Sequence, residues 1–401
     1  MKKVWSIINT ILSRNMKPKP KAITFVVDDN PVSDPLRVAQ HFNNYFVKVG
    51  ESLAERVPNQ GEEFRNYLHN RQVNEFRFPI VTSDLLVNIV TQMKDAAPGH
   101  DEVPMRIIKA VIMDISDVLI YLCNLSFTTG IFPDLLEIAK VLPFFKSGNK
   151  TFFNNYRPIS ILPAISKIIE KIACDSLRKF CIDNQIITSS QFGFMESRST
   201  ENAILTFTKD ILNSFDCNNY TIGVFLDLSK AFDTVNHPIL LAKLDHYGIR
   251  SIPHIWFSSY LSNRKQYVCY SGHDSSNSPV QCGVPQGSIL GPMLFLIYIN
   301  DIVNSSAYLK YILFADDSNL YASHPDLQSL ISDMNRELGK VGDWITSNRL
   351  TLNLEKTHYL IFHRKRLPSQ YDTLIMGNTT LERVEYTKFF RGNHSGHVKV
   401  G

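Results

Sequence analysis

The sequence predicts an α+β fold that combines long helices with a sheet containing an antiparallel hairpin. Helical periodicity dominates Ser83–Ile131, and Ile165–Phe180 has the pattern of an amphipathic helix. Ile222–Leu226 is an uninterrupted apolar run of the length expected for a buried strand. Tyr311–Phe314 and Asn319–Ala322 are strand-like runs on either side of a break, which is typical of a β-hairpin.

The remaining elements follow from local pattern. The first 80 residues are predicted to be mostly helical, and His41–Ala54 places its aromatic residues on one helix face. The proline-containing segments Lys17–Lys21 and Asn30–Pro35 are predicted linkers. Val141–Phe145 is a predicted strand, followed by a loop at Lys146–Lys150.

Composition sets only broad limits on function. With 401 residues the chain has room for two or three domains at roughly 150 residues per domain. A net charge of +4 permits nucleic-acid binding without requiring it. The six cysteines form no CxxC pair, which favours free thiols in a reducing compartment over disulfides or a zinc site.

No membrane-spanning or secretory segment is predicted. The start of the chain resembles a signal peptide superficially, but polar residues interrupt its apolar stretch, so an amphipathic helix is the better interpretation. The apolar stretch Ile289–Ile299 contains Gly291 and Pro292 and is far shorter than the ~20 residues of a membrane span.

Three aspartates stand where predicted strands end. Asp227 follows the buried strand, and Asp316 with Asp317 occupies the tip of the hairpin. Carboxylates that meet across a sheet can hold two divalent cations about 3.5–4 Å apart, an arrangement that catalyses in-line phosphoryl transfer. Taken singly, a strand-capping Asp and a solvated turn are the alternatives. Ser229 is predicted to cap a helix that carries Phe232.

A glycine-rich segment, Gln281–Gly291, lies between these carboxylates in the sequence. Gly287 would allow the backbone to approach a ligand closely, and Ser288 could cap the apolar helix that follows. An ordinary turn before a buried helix would also explain the Pro and Gly residues. The order of the three segments favours a functional role.

The segments LDLSKAFD, GVPQGSILGP and FADD resemble, in that order, the A, B and C motifs of reverse transcriptases. Their wording is similar to the non-LTR, LINE-type retrotransposons of the jockey kind. Further segments extend the resemblance over about residues 25–390; they are Ala97–Asp101, Asn155–Ser160, Gln191–Phe194, Arg198–Thr200 and Asn348–Phe362. His100 and Glu102 depart from the usual wording of the first of these.

The resemblance implies a right-hand fold with fingers and a palm built on a four-stranded antiparallel sheet backed by helices. It implies an RNA-directed DNA polymerase that extends a DNA primer on an RNA template, using dNTPs and two Mg²⁺ ions, for which Mn²⁺ can substitute. The implied metal site consists of Asp227, Leu228, Asp316 and Asp317. The expected localisation is the nucleus and cytoplasm, and no membrane partner is expected.

The resemblance also assigns the nucleotide site. It implies that Lys146 and Arg157 contact the triphosphate, that Phe232 excludes a 2′-hydroxyl, and that Gln286 and Gly287 lie beside the incoming base pair. Lys356 would act as a general acid toward pyrophosphate. The alternatives are a solvated loop charge for Lys146, a core position for Phe232 and an ordinary strand-edge lysine for Lys356.

The predicted organisation has three parts. Residues 1–80 form a helical extension or linker, residues 81–365 form the fingers and palm, and residues 366–401 begin a truncated thumb and end in an aberrant tail. The endonuclease of such elements is expected to be absent from this chain. A weak or inactive polymerase is expected because the thumb is truncated. The alternatives are a catalytically inactive remnant that at most binds nucleic acid and an intron-encoded or telomerase-like polymerase.

Overall fold

Two mixed sheets organise the fold, and each joins strands that lie far apart in sequence. The computed structural model describes residues 23–27, 30–55, 57, 63–389 and 396–399. The helices are α1 (Pro35–Glu55), α2 (Ser83–Gln92), α3 (Met105–Thr129), α4 (Ala164–Asp183), α5 (Thr200–Asp216), α6 (His237–His246), α7 (Ser251–Leu261), α8 (Gly291–Ile299) and α9 (Leu327–Ser347). The strands are β1 (Phe25–Val27), β2 (Asn30–Val32), β3 (Ile138–Phe145), β4 (Tyr156–Ile161), β5 (Tyr220–Asp227), β6 (Lys265–Tyr270), β7 (His273–Asp274), β8 (Ser278–Pro279), β9 (Lys310–Phe314), β10 (Asp317–His324), β11 (His358–Phe362), β12 (Ile375–Met376), β13 (Thr379–Thr380), β14 (Glu382–Arg383), β15 (Tyr386–Phe389) and β16 (Gly396–Lys399).

The central sheet has the order β14-β11-β5-β10-β9. Its strands β11, β5, β10 and β9 are antiparallel to their neighbours, as the resemblance implied. A fifth strand, β14, is added in parallel at the edge beside β11. The α+β class and the hairpin of β9 and β10 are thereby confirmed.

Both faces of β5 are covered, which explains why its sequence is a continuous apolar run. One face belongs to the main core, to which Ile222 and Val224 contribute. The opposite face belongs to a second cluster, in which Phe225 lies with Phe207 of α5. Asp227, at the end of the strand, is the first residue of β5 that is not fully buried.

The second sheet has the order β4-β3-β6-β7, with β8 also pairing with β6. Strand β6 runs parallel to β3, so residues more than a hundred positions apart form one surface. Helix α1 packs on it through Phe42, whose ring contacts those of Phe153, Tyr156 and Tyr270 at 4.6, 4.9 and 5.8 Å between centroids.

The prediction for the first 80 residues is correct only in part. The helix predicted at His41–Ala54 lies within α1. The linker predicted at Asn30–Pro35 instead begins with β2, which pairs with β1. Helix α1 is part of the core of the second sheet, so the described part of this region packs with that sheet. The predicted helix and linker before residue 22 lie outside the described residues.

Helix α3 is long and apolar enough to span a membrane by length and composition alone. The helical periodicity over Ser83–Ile131 predicted this helix, but its length and apolar composition were not recognised because polar residues interrupt its apolar run. Its inner face, from Met105 to Phe127, belongs to the main core. Exposed charged residues, including Arg106, Asp114 and Asp117, lie along the rest of it. A core helix of a globular protein passes the same test, so length and composition are weak evidence for a membrane span.

The helix predicted after Ser229 is not formed. Residues 229–233 make turns, with Lys230 in the left-handed region at a φ of 50°. The Ser229 N–H donates to the carbonyl of Thr351 instead of starting a helix. The next helix, α6, begins at His237, and its N-terminus is capped by the side chain of Asn236.

Candidate active site

The three aspartates lie at the same end of two neighbouring strands in the central sheet. In the antiparallel pair of β5 and β10, Asp227 lies directly opposite Asp317. Directly opposed residues project on the same face of a sheet, so these two carboxylates are neighbours. Asp316 lies in the turn of the β9–β10 hairpin, next to Ala315, whose φ is 56°.

A buried glutamine holds this hairpin in place. The side-chain oxygen of Gln191 accepts the N–H groups of Gly193 and Ala315 at 2.8 and 3.2 Å. A Cβ atom added to Gly193 would lie 2.4 Å from the Ala315 nitrogen, so only glycine allows this approach. The segment with the wording QFGF therefore supports the turn that carries Asp316.

The aspartates line a cavity of about 550 Å³. Nine of the ten predicted site residues line it: Lys146, Arg157, Asp227, Leu228, Phe232, Gln286, Asp316, Asp317 and Lys356. Gly287 is the exception. It has a φ of 125°, and an added Cβ would lie 2.4 Å from the Ser160 carbonyl oxygen, so its close approach is to β4 and not to the cavity.

The donor set fits a hard divalent cation, because Mg²⁺ prefers carboxylate and carbonyl oxygens. Leu228 can contribute only its main-chain carbonyl, since its hydrocarbon side chain has no ligand atom. No group of three or more acidic, His or Cys side chains within the described part of the chain already converges on one point.

The segment after α9 fixes the end of β5. The N–H of Asn353 donates to the Asp227 carbonyl at 2.7 Å, and Leu228 bridges to Leu352. The same segment places Lys356, whose Nζ lies 3.9 Å from Oδ2 of Asp227. About half of the Lys356 side chain is exposed, so its ammonium group is within reach of a ligand in the cavity.

Basic groups from two other elements face the aspartates. Lys146 follows β3, and its N–H donates to the Asn155 carbonyl, which closes the connection to β4. Arg157 lies in β4, where the extended backbone predicted for the residue before Pro158 is observed. Lys230 also lines the cavity, and burial lowers its pKa, with Asp233 opposing that shift.

Phe232 lines the cavity from the turn after β5. Its ring stacks on that of Phe295 in α8, with 4.5 Å between centroids and an interplanar angle of 23°. One side of the ring is therefore supported by the core, while the residue also borders the cavity. Both alternatives considered for this position are physically compatible with that placement.

The turn before α8 is held by polar contacts. The Ser288 hydroxyl accepts the N–H of Gly291, the first residue of α8, at 2.9 Å, although the residue directly before the helix is Leu290 and not Ser288. Glu170 of α4, which is fully buried, accepts the N–H groups of Ile289 and Leu290 at 2.7 and 3.5 Å. Burial raises the pKa of Glu170, and these bonds oppose that rise.

Sequence reasoning missed Lys230, Asp233 and Glu170. The first two lie inside the LDLSKAFD segment, where a lysine and an aspartate after a strand could have been flagged. Glu170 gave no signal, because an acidic residue in an amphipathic helix is usually on the solvated face.

Comparison with known proteins agrees with the family resemblance of the sequence motifs. Residues 146–387, more than half of the chain, match the family model described as reverse transcriptase (RNA-dependent DNA polymerase). The chain is 27% identical over 291 residues to the RNA-directed DNA polymerase from mobile element jockey of Drosophila melanogaster, covering 70% of this chain and 32% of that protein.

Two further relatives come from the same fly. A probable RNA-directed DNA polymerase from transposon BS is 28% identical over 325 residues, covering 78% of this chain and 35% of the relative. A probable RNA-directed DNA polymerase from transposon X-element is 30% identical over 289 residues, covering 69% of this chain and 31% of the relative. The chain thus spans about a third of the length of these relatives.

The predicted resemblance to polymerases of jockey-type mobile elements is therefore confirmed. The matched region contains the opposed aspartates, the hairpin turn and the glycine-rich turn before α8. On this evidence the chain belongs to the reverse transcriptase family.

Proposed function

We propose that this chain is the polymerase segment of a non-LTR retrotransposon and adds dNTPs to a DNA 3′-hydroxyl on an RNA template. The observation that carries the proposal is the opposition of Asp227 and Asp317, with Asp316 beside them, in a cavity bordered by basic side chains. Phosphoryl transfer depends on positioning and on charge neutralisation, which this arrangement supplies. The work takes place inside the cell, in the nucleus and cytoplasm.

Each side of the cavity has a different part in the reaction. Asp227, Asp316, Asp317 and the Leu228 carbonyl would hold two Mg²⁺ ions, which when bound activate the primer hydroxyl and stabilise the leaving oxygen. The carboxylates would lie beside the reacting phosphorus. Because they are negatively charged, they would repel an anionic nucleotide unless bound cations neutralise them.

Basic side chains bind the other phosphates. Arg157 offers a planar pair of donors to phosphate oxygens, and Lys146 adds a second positive charge from the neighbouring loop. Lys356, within 3.9 Å of an Asp227 oxygen, is placed to donate a proton from Nζ to the departing pyrophosphate.

The base and sugar lie on the remaining walls. Phe232 forms the wall beneath the sugar, and its support from Phe295 keeps the ring from moving aside for a 2′-hydroxyl. Gln286 lies beside the nascent base pair.

Primer extension on an RNA template tests this proposal. The purified chain, given a 5′-labelled DNA primer, dNTPs and Mg²⁺, should extend the primer, and a chelator should stop it. A protein that binds the primer–template but adds no nucleotide would refute the proposal and favour the inactive remnant.

A further inference from the structure

We infer that Asp233 is a positioning residue that fixes the side-chain orientation of Gln286 at the nucleotide site. The inference rests on the proposed function and adds to it a residue outside the predicted site. Asp233 lies in the turn after β5, and Gln286 lies in the turn before α8. Nε2 of Gln286 donates to Oδ1 of Asp233 at 2.7 Å.

The bond determines which way the amide faces. An ionised carboxylate can only accept hydrogen bonds, so it selects the orientation in which the Gln286 nitrogen points to it. The amide oxygen and the second N–H are then left for the cavity that Gln286 lines. A partner able both to donate and to accept would permit either orientation.

The backbone of Gln286 is held independently. Its carbonyl accepts the N–H of Ser160 in β4 at 2.8 Å. Two further backbone bonds, from Val284 to Phe232 and from Gly283 to Val235, are each 2.8 Å long and join the same two turns. The main chain is therefore fixed without Asp233, and the carboxylate acts on the side chain alone.

Asp233 destabilises the folded state, so a purely structural role does not explain its presence. Its side chain is partly buried, and its Oδ2 is inaccessible to solvent and has no hydrogen-bond partner among the described residues. Burial raises the pKa of Asp233 to about 6, while Gln286 and Lys230 oppose that rise. An unpaired buried carboxylate oxygen opposes folding and calls for another explanation. Control of the Gln286 amide at the cavity provides one.

A double-mutant cycle between Asp233→Asn and Gln286→Ala tests the inference. Asparagine has the same shape but can donate as well as accept, so the amide orientation is no longer unique. We expect Asp233→Asn to raise the dNTP KM about tenfold with a smaller change in kcat, a size that corresponds to one hydrogen bond to a charged group. In the Gln286→Ala background the same substitution should change KM less than twofold.

Cys282→Ala is the matched control. Its Sγ donates a hydrogen bond to the main-chain carbonyl of Asp233 at 3.4 Å, so the substitution leaves the Asp233 carboxylate in place. It should leave KM unchanged. Thermal unfolding at pH 7.5 should show Asp233→Asn at least as stable as the native protein, which a merely structural role would not allow.

Three results overturn the inference. They are additive effects of the two substitutions on KM, an unchanged KM in Asp233→Asn, and a rise in KM that parallels a loss of stability. If the native protein extends no primer, the proposed function fails by itself. The double-mutant cycle is then measured by nucleotide binding instead of KM. The readout is the rise in unfolding temperature that dGTP with Ca²⁺ produces in each variant. Non-additive rises support the inference, and additive or unchanged rises overturn it.

Discussion

Asp227 and Asp316 lie at the end of a strand and in a turn, outside the apolar core. Replacing either by Asn removes a charge but little packing. We expect each variant to lose ~10³-fold or more in primer extension, because neutralisation at a two-metal site is lost. Asp216→Asn, at a mostly exposed carboxylate that forms an ion pair with Arg364, is the control and should retain activity. Near-native extension by Asp227→Asn at equal protein stability would contradict the metal assignment.

Phe232→Ala should relax sugar discrimination. Removing the ring opens space beside the nucleotide, so the ratio of kcat/KM for dNTP over rNTP should fall roughly tenfold or more. Phe232→Leu retains bulk and should lose less. Since the ring also stacks on Phe295, unfolding should be measured in parallel. An unchanged ratio with a lower unfolding temperature would identify Phe232 as a core residue only.

The carboxyl of Asp233 predicts a pH dependence of stability. Its pKa is raised to about 6 in the folded protein, mainly by burial, so the folded state binds this proton more tightly than the unfolded state. Stability from this group is present below the unfolded pKa of about 3.9 and is lost as pH rises through the folded value. The loss is on the order of 3 kcal/mol above that value.

The variant Asp233→Asn cannot titrate, so it isolates this contribution. Denaturant unfolding of both proteins between pH 4 and pH 7.5 should show the variant gaining on the native protein as pH rises. A constant difference across the range would mean that the carboxyl is not held in a protonation-sensitive environment.

At the scale of elements, helix α1 presses on the turn after β5. A Cβ atom added to Gly50 would lie 2.1 Å from the Asp233 carbonyl oxygen and 2.6 Å from Sγ of Cys282. Gly50→Ala must therefore shift α1 or the turn, and we expect a loss of about 1–3 kcal/mol in the free energy of unfolding. Extension activity should fall as well, since the turn carries Phe232 and Asp233.

A matched glycine is available in α9. An added Cβ at Gly339 meets nothing within 4 Å, and the residue is exposed. Gly339→Ala should stabilise the protein by about 0.5–1 kcal/mol because alanine favours the helix. If both substitutions stabilise, the contact between α1 and the turn is looser than described.

At the scale of the whole molecule, the elements that could be predicted from sequence are those with a clear local hydrophobic pattern. Strand β5, the β9–β10 hairpin and helix α4 were predicted because periodicity reports burial directly. The pairing of β6 with β3 and the addition of β14 were not, since no local signal records contacts between distant segments.

The candidate site shows the same division. Its aspartates were found from motif wording and strand ends, whereas Asp233 and Glu170 owe their roles to tertiary contacts. Lys243 is a further case: it is fully buried against Asp301 at 2.6 Å, which no helical pattern would suggest. The predicted helix after Ser229 failed because local hydrogen bonds to Thr351 took its place.

The segment that matches the family model is smaller than the unit that folds. Residues 146–387 exclude α1, α2, α3 and β3, although β3 pairs with β4 along six residues. A fragment of residues 146–387 should therefore lack cooperative thermal unfolding, whereas residues 23–389 should retain it. Circular dichroism melts distinguish the two, and a sharp transition in the shorter fragment would contradict this.

The contact of Gly50 with the turn at Asp233 also limits where related mobile elements can recombine within this coding region. A recombination point between residues 55 and 146 would join an α1 from one ancestor to a turn from another. Because a Cβ atom at position 50 would lie only 2.1 Å from the Asp233 carbonyl oxygen, a mismatch there is poorly tolerated. Viable recombinants should inherit both segments from one parent. Among descendants, a side chain at position 50 should be accompanied by compensating changes near positions 233 and 282.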